Sequence, residues 1–302
     1  MYFATYKGKN GEEVGVLNKE KTGVISLKNL YEQFRNAEGF YEEPKNMLQV
    51  IETFDEAALE KVEHWIKEDE AEAMTMTLED LTLCAPIMYP RRNIFCVGKN
   101  YLDHAKEVGA IFGATPEHPT FFSKIAYPAI GDQAYIDRHA GIVEELDYEV
   151  ELAVVIGKKG KNIPKEAAED YIFGYTILND VSARKLQKKH EQWHKGKSLD
   201  TFCPMGPFLV HKKEIPNPQH LDIVCKVNQE IRQNSSTKNL IFDIPTLIHV
   251  LSQGMTLIPG DIIATGTPAG VGMGFNPGKY LQAGDVITCE IEKIGKLTNV
   301  VK

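Results

Sequence analysis

The chain has 302 residues, 43% hydrophobic and 25% charged, with a formal net charge of −8 at pH 7. That composition can bury a sizeable core and suits one large domain or two. The negative balance leaves no basic excess to neutralise phosphates, which counts against nucleic acid as a partner; a small anionic substrate stays open, because a bound metal can supply positive charge locally.

Residues 1–80 read as a small α+β unit. Residues 1–6, 13–17 and 24–27 have strand texture, with a turn at Lys7-Gly8-Lys9-Asn10-Gly11. Residues 44–67 show helical apolar spacing through Met47, Val50, Ile51, Phe54, Leu59, Val62, Trp65 and Ile66. The run Lys67-Glu68-Asp69-Glu70-Ala71-Glu72 is a charged helix end or linker. A boundary is expected between this unit and a second one at residues 85–302, where short β segments punctuated by Pro and Gly take over.

In that second part, residues 92–98 form a strand and residues 100–109 a short helix stopped by glycine. His104 and Glu107 lie at i and i+3 on that helix, within reach of each other; a surface ion pair has the same spacing. Residues 119–124 form a strand that carries Lys124. The stretch Leu146-Asp147-Tyr148-Glu149-Val150-Glu151-Leu152-Ala153-Val154-Val155-Ile156-Gly157 is apolar on both faces in its second half, as a buried strand is. In its first half, Glu149 and Glu151 at i and i+2 share one face. Two carboxylates there repel each other and lose hydration, a cost that a hard divalent cation removes. A third, Asp180, ends the apolar strand at 173–180. The same spacing also describes a solvated strand face with Asp180 capping the next helix.

That next helix is expected over 181–189. It leads into His190-Glu191-Gln192-Trp193-His194, which matches H-E-x-x-H, the zinc-protease arrangement. The polar, lysine-rich surroundings offer no buried helix to hold zinc, so a solvated helix end or a mobile segment is the better reading. Lys197 lies in the irregular stretch that follows. Residues 220–233 read as a hairpin and 244–251 as a helix. The turn Gly266-Thr267-Pro268-Ala269-Gly270-Val271-Gly272-Met273-Gly274 superficially suggests a dinucleotide loop, but Pro268 and the lack of a following helix count against that; its N–H groups suit a carboxylate.

Five scattered cysteines, Cys84, Cys96, Cys203, Cys225 and Cys289, with no C-x-x-C pair, fit reduced thiols better than disulfides or a zinc ribbon. Residues 1–9 lack the apolar core of a signal peptide, and no apolar run is long enough to span a bilayer. A cytoplasmic location with no membrane partner is expected.

Five stretches together resemble the fumarylacetoacetate hydrolase family: residues 96–105 (Cys96-Val97-Gly98-Lys99-Asn100-Tyr101-Leu102-Asp103-His104-Ala105), 146–157, 174–184, 195–207 and 260–272. The resemblance runs from about residue 90 to the end, and to its acylpyruvase and oxaloacetate decarboxylase-like branch in particular. It implies an α+β protein whose catalytic domain is a mixed β-roll, preceded by the small N-terminal domain. It implies Mg²⁺ or Mn²⁺ held by Glu149, Glu151 and Asp180, a small 2-oxo acid substrate, and a homodimer. His104 and Glu107 match that branch's acid–base pair and Lys197 its catalytic lysine; Lys124, Arg184, Gly266 and Thr267 are the candidates for substrate contact. The segment Gly98-Lys99-Asn100-Tyr101 lacks the extra aspartate ligand of true fumarylacetoacetases, which counts against fumarylacetoacetate itself as the substrate.

The implied chemistry is cleavage of a C–C bond through an enolate, by decarboxylation of oxaloacetate or hydrolysis of an acylpyruvate. In the latter, His104, oriented by Glu107, would activate water and Lys197 would stabilise the oxyanion. Isomerisation or hydration of unsaturated dicarboxylic 2-oxo acids is the alternative within the family. A family member that serves as a binding or scaffold protein with residual activity is a third reading, and the zinc hydrolase of His190 and His194 a fourth.

Overall fold

The computed structural model describes residues 1–9, 11–34, 42–109 and 116–302. The chain starts with β1 (Tyr2–Gly8), β2 (Gly11–Leu17) and β3 (Gly23–Ser26), an antiparallel meander. Asn10, in the turn expected between the first two, lies outside the described residues. Helix α1 (Leu27–Phe34) follows. The single helical run expected over 44–67 is two helices, α2 (Met47–Thr53) and α3 (Glu56–Trp65). Phe54 leaves helical geometry, and the Asp55 carboxylate accepts from Ala58 N–H at 2.9 Å, capping α3. A short helix, α4 (Asp69–Glu72), and β4 (Met76–Thr77) complete the leading region.

The rest is mostly strand: β5 (Ile94–Gly98), helix α5 (Leu102–Glu107), β6 (Thr120–Lys124), β7 (Tyr135–Ile136), β8 (Leu146–Asp147), β9 (Val150–Ile156), β10 (Ile172–Asn179) and β11 (Ser182–Ala183). After α6 (Arg184–Lys189) and α7 (His194–Lys197) come β12 (Met205–His211), β13 (Asp222–Val227), β14 (Glu230–Ser236), α8 (Ile244–Ser252), β15 (Ile262–Ala264), β16 (Val286–Ile291) and β17 (Gly295–Val301). Among the described residues a ten-stranded sheet runs β4-β3-β2-β1-β12-β10-β9-β15-β5-β6, and a five-stranded one β14-β13-β16-β17-β7. The large sheet is mixed, since β15 pairs parallel to β5 and antiparallel to β9. Because β1 pairs with β12, the boundary expected between residues 80 and 85 falls within one continuous sheet.

The core explains why β9 is apolar on both faces. Val150, Leu152, Val154 and Ile156 enter one hydrophobic cluster with β13, β16 and β17 of the small sheet. Ala153 and Val155, pointing the other way, enter a second cluster with Val50, Ile51, Leu59 and Val62 of α2 and α3. The large sheet is thus covered by a sheet on one side and by the leading helices on the other. Each fully buried aliphatic side chain stabilises that packing by roughly 1.5–3 kcal/mol.

Candidate active site

Strand register brings the acidic residues together. In the antiparallel pair β9–β10, Glu151 faces Leu178 and Val150 faces Asn179, so the start of β9 meets the end of β10. Glu149, just before β9, and Asp180, just after β10, therefore lie side by side, joined by the Asp180 N–H to Glu149 carbonyl bond at 2.8 Å. The ends of β15 and β5 reach the same edge, bringing the 266–274 turn and α5. Asn100 fastens these two together: its side chain donates to the Thr265 and Phe242 carbonyls at 2.8 and 3.1 Å and accepts from Phe242 N–H at 2.8 Å.

Glu149, Glu151 and Asp180 each present an oxygen within 4.8 Å of the others. They are 5%, 1% and 0% exposed, so the solvated-face reading does not hold. Three cations are buried with them. Lys197 Nζ lies 2.8 Å from Glu149 Oε2 and 2.7 Å from Asp180 Oδ2. Arg184 reaches Glu149 Oε1 at 2.6 Å and Asp147 Oδ2 at 2.8 Å. Lys124 Nζ lies 2.7 Å from Asp180 Oδ1 and donates to the Val181 and Lys197 carbonyls.

Glu151 is treated differently. Its described partner is the Gly266 N–H, at 2.8 Å, and it forms no ion pair among the described residues. Burial, and then the charges of Asp180 and Glu149, push its carboxyl well above the usual glutamate range. Burial works the same way on Glu149, but Lys197 and Arg184 outweigh it and hold this carboxyl down at about 2. Burial opposes the charge on Lys197, and Asp180 and Glu149 keep its pKa above the ordinary lysine value. Three clustered oxygen donors, one of them held against its own charge, fit a hard divalent cation such as Mg²⁺ or Mn²⁺.

His104 and Glu107 face this cluster from α5. His104 is 6% exposed and its Nδ1 lies 3.1 Å from Glu107 Oε2, a pair too buried to be a surface ornament. Gly270 N–H donates to the other Glu107 oxygen at 2.9 Å. Gly270 has φ +102° and a Cβ there would meet the Arg232 carbonyl; a Cβ on Gly274 would meet Glu107 Oε1 at 2.1 Å. The turn thus needs its glycines, and what its N–H groups hold are the protein's own carboxylates: Glu151, Glu107, and Asp147 through Gly272 and Met273 at 2.6 and 3.0 Å. Thr267 Oγ1 donates to the Val150 carbonyl and accepts from Gln233, which also holds Val150 N–H.

His104, Glu149, Glu151, Arg184, Lys197 and Thr267 line one cavity of about 20 Å³. Lys124 is wholly enclosed and braces Asp180 and Lys197 from behind, while Gly266 contributes its N–H to Glu151. The H-E-x-x-H match does not make a metal site. His190 ends α6, Glu191 has φ +57°, and His194 starts α7 with its Nδ1 about 3.0 Å from Ser123 O, so no helix stacks the two rings. The group able to hold a metal among the described residues is the carboxylate triad. Sequence reasoning missed Asp147, although it stands two residues before Glu149 in the same alternation, and Gln233, which no local pattern marks.

The family model described as fumarylacetoacetate (FAA) hydrolase C-terminal matches residues 93–302. The chain is 45% identical to the oxaloacetate tautomerase YisK of Bacillus subtilis (strain 168) over 306 aligned residues, covering 100% of each chain. It resembles the solved fumarylacetoacetate hydrolase of the psychrophile Exiguobacterium antarcticum at TM-score 0.81 and 37% identity, covering 100% of this chain and 99% of that one. A maleylpyruvate hydrolase from Sphingobium sp. SYK-6, solved in complex with manganese(II) ion and pyruvate, is similar at TM-score 0.74 and 29% identity, with 100% and 98% covered. The sheet that aligns the carboxylates, the buried cations beside them and these matches across the chain place it in the fumarylacetoacetate hydrolase family.

Proposed function

We propose that this protein is a divalent-metal-dependent enzyme that forms the enolate of a small 2-oxo acid, and that its reaction is the keto–enol interconversion of oxaloacetate. The observation that carries this reading is the buried Glu149–Glu151–Asp180 cluster, whose two glutamates line one cavity with His104, itself paired to Glu107. The relative named as an oxaloacetate tautomerase, alike over its whole length, supports the choice of reaction; the manganese ion and pyruvate in the similar hydrolase support the choice of cofactor and substrate class.

The charges agree. Asp147, Glu149, Glu151 and Asp180 carry one more charge than Lys124, Arg184 and Lys197 offset, so a bound divalent ion leaves the pocket positive and attractive to a dianion. Bound there, Mg²⁺ or Mn²⁺ supplies the Lewis acidity that stabilises an enolate. The chain's own groups handle the proton. With Nδ1 held by Glu107, His104 has Nε2 left to take the C3 proton; the C–H electron pair becomes the C2=C3 bond, the C2=O π pair moves onto the carbonyl oxygen, and that oxygen then accepts the proton. Lys197 and Arg184 lend positive charge to the same wall.

Cleavage of a C–C bond is the second reading, favoured by the likeness to the maleylpyruvate hydrolase. Decarboxylation of oxaloacetate passes through the same enolate, and acylpyruvate hydrolysis adds a water activated by His104. The test uses chelator-stripped protein restored with Mg²⁺ or Mn²⁺, with protein-free blanks at equal metal. Enol-to-keto conversion of oxaloacetate, pyruvate release from oxaloacetate and loss of acetylpyruvate are followed in parallel. Metal-dependent acceleration of the first above the others is expected; no metal-dependent acceleration of any would overturn the reading.

A further inference from the structure

The segment His190-Glu191-Gln192-Trp193-His194 has no metal to bind, yet it is not idle. Trp193 lines the same cavity as the carboxylate triad. Its indole rests edge-on against Phe122 of β6, with ring centroids 5.1 Å apart and planes at 68°. A Cβ on residue 98 would lie 2.4 Å from the indole Cζ3, so Gly98 at the end of β5 leaves the space the ring occupies. The turn is pinned to β6 on its far side, where His194 Nδ1 meets Ser123 O and Oγ at 3.0 and 3.1 Å. Among the polar groups that line the cavity, Glu151 lies on β9, His104 on α5, Arg184 on α6, Lys197 on α7 and Thr267 in the 266–274 turn. Trp193 belongs to the four-residue connection between α6 and α7 and is half-buried.

We infer that Trp193 is the specificity-determining wall of the site: it admits a 2-oxo acid whose far group is no larger than a carboxylate and excludes aryl and long acyl groups. This rests on the proposed action on small 2-oxo acids. The indole stands in the wall of the cavity that holds the carboxylates, so a bulky group at the far end of a bound 2-oxo acid competes with it for that space. A clash with a side chain packed against Phe122 and seated over Gly98 is not relieved without unseating the whole turn.

The experiment measures binding, so it does not depend on turnover. Mg²⁺-loaded wild type, Trp193→Phe, Trp193→Leu and Trp193→Ala are titrated calorimetrically with oxalate, pyruvate and phenylpyruvate. Oxalate should bind all four alike, which shows that the triad is intact. Phenylpyruvate should bind Trp193→Ala about tenfold or more tighter than wild type, with Phe and Leu falling between in order of size. In Trp65→Phe, which leaves Trp193 as the sole tryptophan, saturating oxalate should change the emission. Equal phenylpyruvate affinity across the series, or unchanged emission at calorimetric saturation, overturns the inference. Size discrimination without any oxaloacetate turnover would instead keep the wall and sink the proposed reaction.

Discussion

Glu151 shows how one residue reports on a cation. With Asp180 and Glu149 beside it and no basic group paired to it among the described residues, its folded-state pKa is raised. For an acid, that means a stability contribution present below its unfolded pKa and lost as pH rises toward the folded value. Glu151→Gln removes this loss. In chelator the variant should melt no lower than wild type, and its advantage should widen as pH rises above the ordinary glutamate range; it should also bind Mn²⁺ far more weakly by calorimetry. A variant that keeps wild-type Mn²⁺ affinity would remove Glu151 from the site. His104 makes a complementary case. Its alanine variant should keep its metal and lose about 10²–10⁴-fold in reactions that need a proton carried, such as acylpyruvate hydrolysis. Decarboxylation of oxaloacetate should fall much less; equal slowing of both would mean that His104 closes the site rather than moving protons. At this scale the sequence was readable where spacing implies a shared face, as for Glu149 with Glu151 and His104 with Glu107. It was not readable for Lys124 and Arg184, whose carboxylate partners lie 56 and 37 residues away and are set by sheet register.

Elements were legible where periodicity runs unbroken. The strands β9 and β10 fall close to where β-branched runs place them, because burial on both faces leaves no polar alternation to misread. The helical run over 44–67 was read through a break, since apolar spacing continues across Phe54 and Asp55 while the backbone does not. Asp55 is the residue that decides this: its carboxylate satisfies an end N–H of α3 that a continuous helix would satisfy internally. Asp55→Ala should lower the unfolding free energy by about 1 kcal/mol in a denaturant titration. Since α3 lines no part of the catalytic cavity, kcat/KM should stay unchanged. A fall in kcat/KM would show that α3 positions the site through the sheet it covers. The H-E-x-x-H match fails for the opposite reason: its spacing is right and its backbone is not, because Glu191 at φ +57° separates two short helices.

In the whole molecule, the seam between the leading strands and the catalytic strands is a sheet contact. β1 lies on β12, where Tyr2 faces Val210 and Phe3 faces Leu209. His211 closes the end of that seam: its N–H donates to the Met1 carbonyl at 2.9 Å and its ring packs edge-on against Phe173, at 5.3 Å. The Met1 ammonium is itself fixed to Glu214 at 2.5 Å. Burial lowers the His211 pKa to about 4, and the Met1 ammonium, Lys212 and Lys213 push the same way, with Glu214 opposing. Above the unfolded value of about 6.5 the ring is neutral in both states and costs nothing. As pH falls from there toward 4, the unfolded chain takes up the proton first, so stability drops through that window and levels off below it. The full effect is on the order of 3 kcal/mol. His211→Gln cannot titrate, so thermal melts at stepped pH should show wild type losing stability faster than the variant between about 6.5 and 4. Parallel acid limbs would mean that the ring accepts a proton without disturbing the seam, and that the acid sensitivity of the fold resides in the carboxylates instead.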